Sequence, residues 1–260
     1  MVSDFRDFFS TAAADYRRFR PQYPDALFRH LAHICTAHDL ACDVGCGNGQ
    51  ASRALAGYFR QVTATDASAA QVAQAEPHPG VTFTTAPAET IPQTDANVDL
   101  VTVAQALHWF DHHTFFAEVE RVLKPGGILA VWGYRLLATD NPALNRLLEH
   151  FYHRVVGPYW PPERQLLDAE YRTVTFPYSP LEAPPWRMES HWQLPHLLGY
   201  LQTWSACGEY QRAHGRNPVR EYQPQFATAW GEPQQSLSMR WPLTLYLGRK
   251  PLNPQPGARS

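Results

Sequence analysis

A doubly wound α/β fold with a mostly parallel sheet is what this 260-residue chain predicts, on two observations. Short apolar runs of strand length alternate with segments of helical periodicity through residues 36–136, and chemistry-bearing residues recur at the carboxyl end of each run. Strands separated by helical crossovers pair in parallel, because each helix returns the chain to the same edge of the sheet.

The first run, Leu40–Val44, reads as a buried strand, and it is followed by glycines at every second position, Gly45, Gly47 and Gly49. Glycine adopts positive φ at little cost and lets a ligand approach the main chain, while the next helix presents unpaired N–H groups. That helix puts Ala51, Ala54, Leu55 and Tyr58 on one face. Val62–Asp66 is a second strand ending in an acid, Val81–Thr85 a third and Val98–Val103 a fourth. Asp111 then caps a helix whose apolar face is Phe115, Phe116, Val119, Val122 and Leu123. Lys124-Pro-Gly-Gly127 ends that helix before a fifth strand, Ile128–Trp132.

Texture changes near residue 136. Residues 137–260 hold 16 of the 23 prolines and six of the eight tryptophans, which predicts irregular helices and loops rather than regular scaffold. The last ten residues read as a loose tail.

A formal net charge of −2, without any Lys/Arg run, gives no field for holding a polyanion, so nucleic acid is not an expected partner. No apolar stretch approaches the ~20 residues of a membrane span, and the first residues lack a signal-peptide pattern; a cytoplasmic protein is expected. Cys35, Cys42, Cys46 and Cys207 form no CxxC pair and read as reduced packing residues.

In doubly wound sheets ligands bind outside the carboxyl ends of the strands, where strand order reverses. Asp43 with the glycines, Asp66, Ala88-Glu89 and Gln105-Ala-Leu-His-Trp109 all fall at such ends. Asp66 follows the glycine loop at the spacing where an acid accepts hydrogen bonds from ribose hydroxyls. A ribose-bearing ligand is the economical reading.

Asp43-Val-Gly-Cys-Gly-Asn-Gly49, Asp66, Val98-Asp-Leu-Val-Thr-Val-Ala-Gln105 and Leu123-Lys-Pro-Gly-Gly-Ile-Leu129 resemble, in order and spacing, the motifs of class I S-adenosylmethionine-dependent methyltransferases of the type 11 group. Tyr16-Arg-Arg-Phe-Arg-Pro-Gln-Tyr-Pro24 and Gln105-Ala-Leu-His-Trp-Phe110 are similar to the subset containing the trans-aconitate methyltransferase relatives, with weaker echoes at Tyr200-Leu-Gln-Thr-Trp-Ser-Ala206 and in a terminal strand, Trp241–Lys250. The strong match covers residues 12–135.

The resemblance implies a seven-stranded Rossmann-like domain over residues 1–250. It would have N-terminal helices and a lid over 1–35, a cofactor core over 36–136, and a substrate cap with later strands over 137–240. It implies S-adenosyl-L-methionine as cofactor and S-adenosyl-L-homocysteine as product. Gly45, Gly47 and Gly49, with Cys46 and Asn48 between them, would line the methionine part. Asp66 would bind the ribose, Ala67 and Ala88-Glu89 would flank the adenine, and Asp43 would stabilise the loop or approach the amino group. Gln105 and Ala106 would border the methyl. Tyr16 and Arg20, on a helix with Phe5, Phe8, Phe9 and Phe19, would close over the cofactor.

A nicotinamide enzyme is the first competitor, but a dinucleotide fingerprint needs a third glycine where this chain has Gln50. An acid at Asp43 also suits a cationic cofactor better than a pyrophosphate. A non-catalytic module binding the same cofactor is the second competitor. His108 reads as a general base, a substrate contact or a loop-packing ring. His108, His112 and His113 invite a metal reading, but the helix cap between them and the lack of a further ligand count against it, and methyl transfer needs no metal. Glu89 reads equally as a solvated loop acid or as a group that binds the ligand or orders the loop.

The chemistry expected is in-line displacement with a nucleophile held about 3 Å from the methyl carbon and water excluded. Enzymes that methylate exocyclic amines of bases share an Asp/Asn-Pro-Pro-aromatic motif after the fourth strand, and this chain has Ala104-Gln-Ala-Leu-His108 there. A small-molecule acceptor is therefore expected, a carboxylic acid being favoured, with His108, Trp109, Tyr134 and Arg135 as substrate contacts. The expected assembly is a monomer or homodimer without nucleic acid or membrane.

Overall fold

A computed structural model describes residues 19–232 and 234–252. Eight strands form one sheet in the order β3-β2-β1-β4-β5-β8-β6, with β7 paired to β8. They are β1 (Leu40–Val44), β2 (Gln61–Asp66), β3 (Val81–Thr85), β4 (Val98–Ala104), β5 (Leu123–Tyr134), β6 (Ala138–Thr139), β7 (Trp186–Trp192) and β8 (Leu237–Arg249). The α/β class and the parallel core agree with the expectation, and the expected seven strands are eight. β1 pairs in parallel with both β2 and β4, so strand order reverses at β1.

By contact the described residues fall into two compact units. The first takes Tyr23–Gly133, Ala169–Trp186 and the chain from Leu243 onward. Its helices include α1 (Asp25–Ile34), α2 (Gln50–Leu55), α3 (Ala69–Ala73) and α4 (His112–Val122). The core joins Leu27, Phe28 and Leu31 of α1 and Ala51 and Leu55 of α2 to Ala41, Leu100, Ile128, Trp132 and Leu247 on the strands. Phe28 and Tyr23 meet Trp132 edge-on, at 6.2 and 5.6 Å between ring centroids. β1 is buried along its whole length, as expected of a central strand covered on both faces.

Asp111 caps α4 as expected, its side chain accepting the Thr114 N–H at 2.8 Å. The fifth strand differs: it starts at Leu123, not Ile128, and takes in the Lys124-Pro-Gly-Gly127 stretch. Lys250, the residue after β8, makes this possible, because Gly126 N donates to Lys250 O and Lys250 N to Gly127 O, both at 2.9 Å. The pairing shifts register between Val98 and Leu100, a bulge that absorbs the turn residues.

The second unit takes the chain up to Gln22, Tyr134–Asp168 and Arg187–Pro242. It contains α5 (Pro142–His150), α6 (Arg164–Asp168), α7 (Leu194–Gln202), α8 (Ser205–His214) and α9 (Pro218–Trp230). Pro142, Pro195 and Pro218 start helices, lying in the first turns of α5, α7 and α9, while irregularity of the expected kind appears in the π-helical turn Phe151–Val155, in Pro224 inside α9 and in residues 169–185, which hold no helix or strand. A first-turn proline loses no helical hydrogen bond, and Asn141 and Asn217 cap α5 and α9 through their side chains. Trp192, Tyr200 and Trp241 pack here as an aromatic cluster with centroids 4.9–5.8 Å apart.

Candidate active site

The loops after β1, β2, β3 and β4 are stitched together within the first unit. All three glycines between β1 and α2 have positive φ: 71° at Gly45, 55° at Gly47 and 81° at Gly49. Gly45 and Cys46 N–H groups both donate to Thr65 O, at 2.8 and 2.9 Å, fastening the loop to β2. The glycines are packed unequally. A Cβ on Gly45 would lie 2.6 Å from Ala106 Cβ and 2.9 Å from Phe110, and one on Gly49 would strike the Phe83 ring at 2.5 Å. Among the described residues a Cβ on Gly47 would meet only Gln71 Oε1, at 3.8 Å. Two glycines thus admit neighbouring elements, and the middle one is the least crowded of the three by the described residues.

Asp66 ends β2 with its carboxylate spread across two loops, accepting Gly47 N–H at 2.8 Å through Oδ2 and Ser68 N–H at 2.9 Å through Oδ1. A carboxylate offers about four acceptor positions, so this geometry orients the group for hydroxyl donors as well. Ala67 beside it is exposed, and Ala88 after β3 is buried. Glu89 accepts the Asp111 N–H at 2.8 Å, joining the β3 loop to the cap of α4.

Asp43 is fully buried. Its carboxylate accepts the Ser52 hydroxyl at 2.6 Å and the Thr102 hydroxyl at 2.9 Å, linking β1 to α2 and β4. Burial pushes this carboxyl up to about 6, the two hydroxyl bonds oppose the rise, and the Asp66 charge adds to it. Asp99 on β4 is the instructive contrast: it accepts two backbone N–H groups and is neutralised by Lys124 Nζ at 2.7 Å. Asp43 has hydroxyl donors where Asp99 has a cation. Burial together with the Asp43 and Asp66 charges holds the Cys46 thiol well above the usual thiol range, which makes it a packing group and not a nucleophile.

After β4 the backbone turns sharply at Gln105, a non-glycine residue with φ of 58° whose N–H donates to Trp132 O at 2.9 Å. Ala106 seats against Gly45, and Leu107–Trp109 form a single tight helical turn. His108 is buried on that turn, with Nδ1 3.2 Å from the Tyr171 hydroxyl and the Trp109 ring 4.9 Å away. His112 Nε2 lies 3.0 Å from Leu107 O. Among the described residues no group of three His, Cys, Asp or Glu side chains is disposed to hold a metal ion.

The first unit therefore gathers Asp43, Gly45, Cys46, Gly47, Asn48, Gly49, Asp66, Ala67, Ala88, Glu89, Gln105, Ala106, His108 and Trp109. Arg20, Tyr134 and Arg135 belong to the second unit. There Arg20 donates to Tyr134 Oη at 3.2 Å, to Thr203 Oγ1 at 3.0 Å and to Thr203 O at 3.1 Å, over the Tyr200 ring, while Arg135 is exposed. Tyr16, Phe5, Phe8 and Phe9 lie outside the described residues. Sequence reasoning missed Ser52, Thr102 and Tyr171. Thr102 stands opposite Asp43 in the β1–β4 register, but that register is set by pairing and carries no local signal.

A family model described as a methyltransferase domain matches residues 42–131. A Dictyostelium discoideum protein named as a methyltransferase is 32% identical over 220 residues, covering 84% of this chain and 84% of its own. A Saccharomyces cerevisiae protein named as an S-adenosylmethionine-dependent methyltransferase is 32% identical over 132 residues, 47% of this chain and 45% of that one, so the match spans about half of each. A solved structure from Anaeromyxobacter dehalogenans, described as a type II methyltransferase, is 43% identical with a TM-score of 0.84, covering 90% of this chain and 100% of its own. No helix among the described residues is long and apolar enough to cross a membrane. With the parallel sheet, the glycine loop and these likenesses in agreement, the chain belongs to the class I S-adenosylmethionine-dependent methyltransferases.

Proposed function

We propose that this protein binds S-adenosyl-L-methionine at the glycine loop and methylates the carboxylate of a small organic acid, as a relative of the trans-aconitate methyltransferase subset. The observation that carries the cofactor site is the unequal packing of the loop glycines, with Gly45 and Gly49 closed by Ala106, Phe110 and Phe83 and Gly47 the least crowded among the described residues. The residues present fit the group. Gly47 admits a ligand to the main chain, and Asp66 stands beside it as the acceptor for ribose hydroxyls. Asp43, buried with hydroxyl donors and paired with no cation among the described residues, favours a positive charge nearby. Ala67, Ala88 and the Glu89-ordered loop form the adenine side.

When bound, S-adenosyl-L-methionine supplies a methyl group on a sulfonium, an electrophile that an ionised oxygen takes without an acid or a metal. Gln105, held at positive φ, positions the acceptor side, and Ala106, His108 and Trp109 wall it from water. Glu89 and Asp111 in the adjoining loops serve the fold: Glu89 accepts Asp111 N–H, and hydrogen bonds from Thr114 hold the Asp111 carboxyl below its usual range, where it is a weaker base toward an amine or alcohol. A carboxylate acceptor, already ionised at neutral pH, needs no such base.

Calorimetry with S-adenosyl-L-methionine and S-adenosyl-L-homocysteine tests the cofactor site, and binding of both is expected. Binding of NAD alone would sink the reading. A metabolite extract supplied with methyl-labelled cofactor should yield a labelled methyl ester by mass spectrometry. Cofactor binding with no methylated product from any acid-containing extract would leave a non-catalytic module in its place.

A further inference from the structure

We propose that Gln71 is a further binding residue of the cofactor site, its side-chain amide donating to the oxygens of the ribose hydroxyls whose hydrogens Asp66 accepts. It rests on the S-adenosyl-L-methionine reading of the glycine loop and adds to it a second contact with the sugar.

Gly47, Asp66, Ser68 and Gln71 close a ring of contacts at the carboxyl end of β2. Asp66 Oδ2 accepts Gly47 N–H at 2.8 Å, and its Oδ1 accepts Ser68 N–H at 2.9 Å. Ser68 is buried and caps α3, its hydroxyl accepting Gln71 N–H at 3.3 Å, which fixes where the Gln71 side chain leaves the helix. That side chain returns to the start of the ring. Its Oε1 stands 3.8 Å from the position a Cβ on Gly47 would take, and no other atom of the described residues lies within 4 Å of that position. Two side chains therefore flank one glycine, a carboxylate on its N–H and an amide on its Cα. A ligand drawn against the Gly47 main chain meets both.

The Gln71 amide is uncommitted. It is half-buried and makes no side-chain hydrogen bond among the described residues, whereas Gln93, before β4, donates to Thr63 Oγ1 at 2.8 Å. A vicinal diol is recognised in full only when its oxygens receive hydrogen bonds as well as give them. An ionised carboxylate supplies acceptors alone, and Asp66 already serves two backbone N–H groups. A primary amide supplies two N–H donors, and Gln71 brings them beside Asp66 without adding a charge to a site that already holds Asp43 and Asp66. The last torsion of a glutamine side chain is broad and roughly two-fold, so the amide turns its nitrogen toward a hydroxyl oxygen at little cost.

The test is calorimetry on the full chain with S-adenosyl-L-homocysteine and its 2′-deoxy and 3′-deoxy analogues, for wild type and for Gln71→Met, which keeps the length of the side chain and removes the amide. The Ser68 bond goes to the backbone of residue 71, so the variant keeps the cap and its circular dichroism should match wild type. S-adenosyl-L-homocysteine should bind Gln71→Met about three- to tenfold more weakly. The difference between the two proteins should vanish with the analogue that lacks the hydroxyl Gln71 serves. Equal affinity of the two proteins for S-adenosyl-L-homocysteine overturns the proposal, as does the same fold loss with all three ligands, which would put the amide on another part of the cofactor. Should Gln71→Met lose its fold, Gln71→Ala carries the same comparison. Failure of the wild type to bind S-adenosyl-L-homocysteine at all would instead remove the cofactor reading, so the two failures are told apart.

Discussion

Asp43 and Thr102 face each other across the β1–β4 ladder, the threonine hydroxyl donating to the buried carboxylate at 2.9 Å. With Ser52 on the other oxygen, this pair ties the strand-order reversal point to the helix that follows the glycine loop. The carboxyl is pushed up to about 6 from an ordinary value of 3.8, burial being the main cause. The folded chain therefore binds this proton more tightly than the unfolded one between those values. Stability linked to Asp43 is fully present below about pH 4 and is lost as pH rises to about 6, on the order of 3 kcal/mol in all. Urea denaturation across that range should show wild type losing stability relative to Asp43→Asn, and parallel curves would contradict the assignment.

A cationic donor favours ionised Asp43, so cofactor affinity should weaken as pH falls below about 6, by at most about tenfold per pH unit for one proton. Calorimetric titrations at pH 5, 6 and 7.5 read this directly. A pH-independent dissociation constant would mean that Asp43 does not sense the ligand.

Gly45 and Gly208 make opposite cases of one substitution. Gly45→Ala meets Ala106 at 2.6 Å with φ of 71°, and should abolish measurable cofactor binding and lower the melting temperature. Gly208 lies inside α8 with nothing among the described residues within 4 Å of a new Cβ, so Gly208→Ala should stabilise by roughly 0.5–1 kcal/mol. Thermal melts should move in opposite directions.

Asp66→Asn keeps an acceptor for Gly47 N–H but removes the charge. Loss of one charge-assisted hydrogen bond to the ligand predicts a roughly ten- to hundredfold weaker dissociation constant, with the fold retained. Circular dichroism and calorimetry on the same preparation separate affinity from folding.

Arg121 donates to Ile91 O at 2.9 Å and Gln93 O at 2.7 Å while pairing with Glu118, fastening the loop before β4 to α4. A lysine has the charge without the planar fork, so Arg121→Lys should cost roughly 1–2 kcal/mol, read as a lower urea midpoint with unchanged slope.

The strands β1 to β4, the cap at Asp111 and the glycine loop were legible because each is a local property: an apolar run, a side chain that reaches its own helix, a residue without a Cβ. Lys124–Gly127 reads locally as a turn because of Pro-Gly-Gly, and it joins a strand through the β4 pairing at Leu123 and the backbone of Lys250. In the proline-rich half, Asn141-Pro142 and Asn217-Pro218 are local helix-start signals that a count of prolines passes over, while the irregular stretches between follow the composition.

By itself the sequence determined the class of fold, the glycine loop and the acid that follows it, since spacing and φ preference travel with the residues. Tertiary structure decided which side chains those residues meet. Thr102 reaches Asp43 across 59 residues, Tyr171 reaches His108 across 63, and Arg20 reaches Thr203 across 183. Such pairs depend on strand register and on how the chain returns after a crossover, which no local pattern encodes.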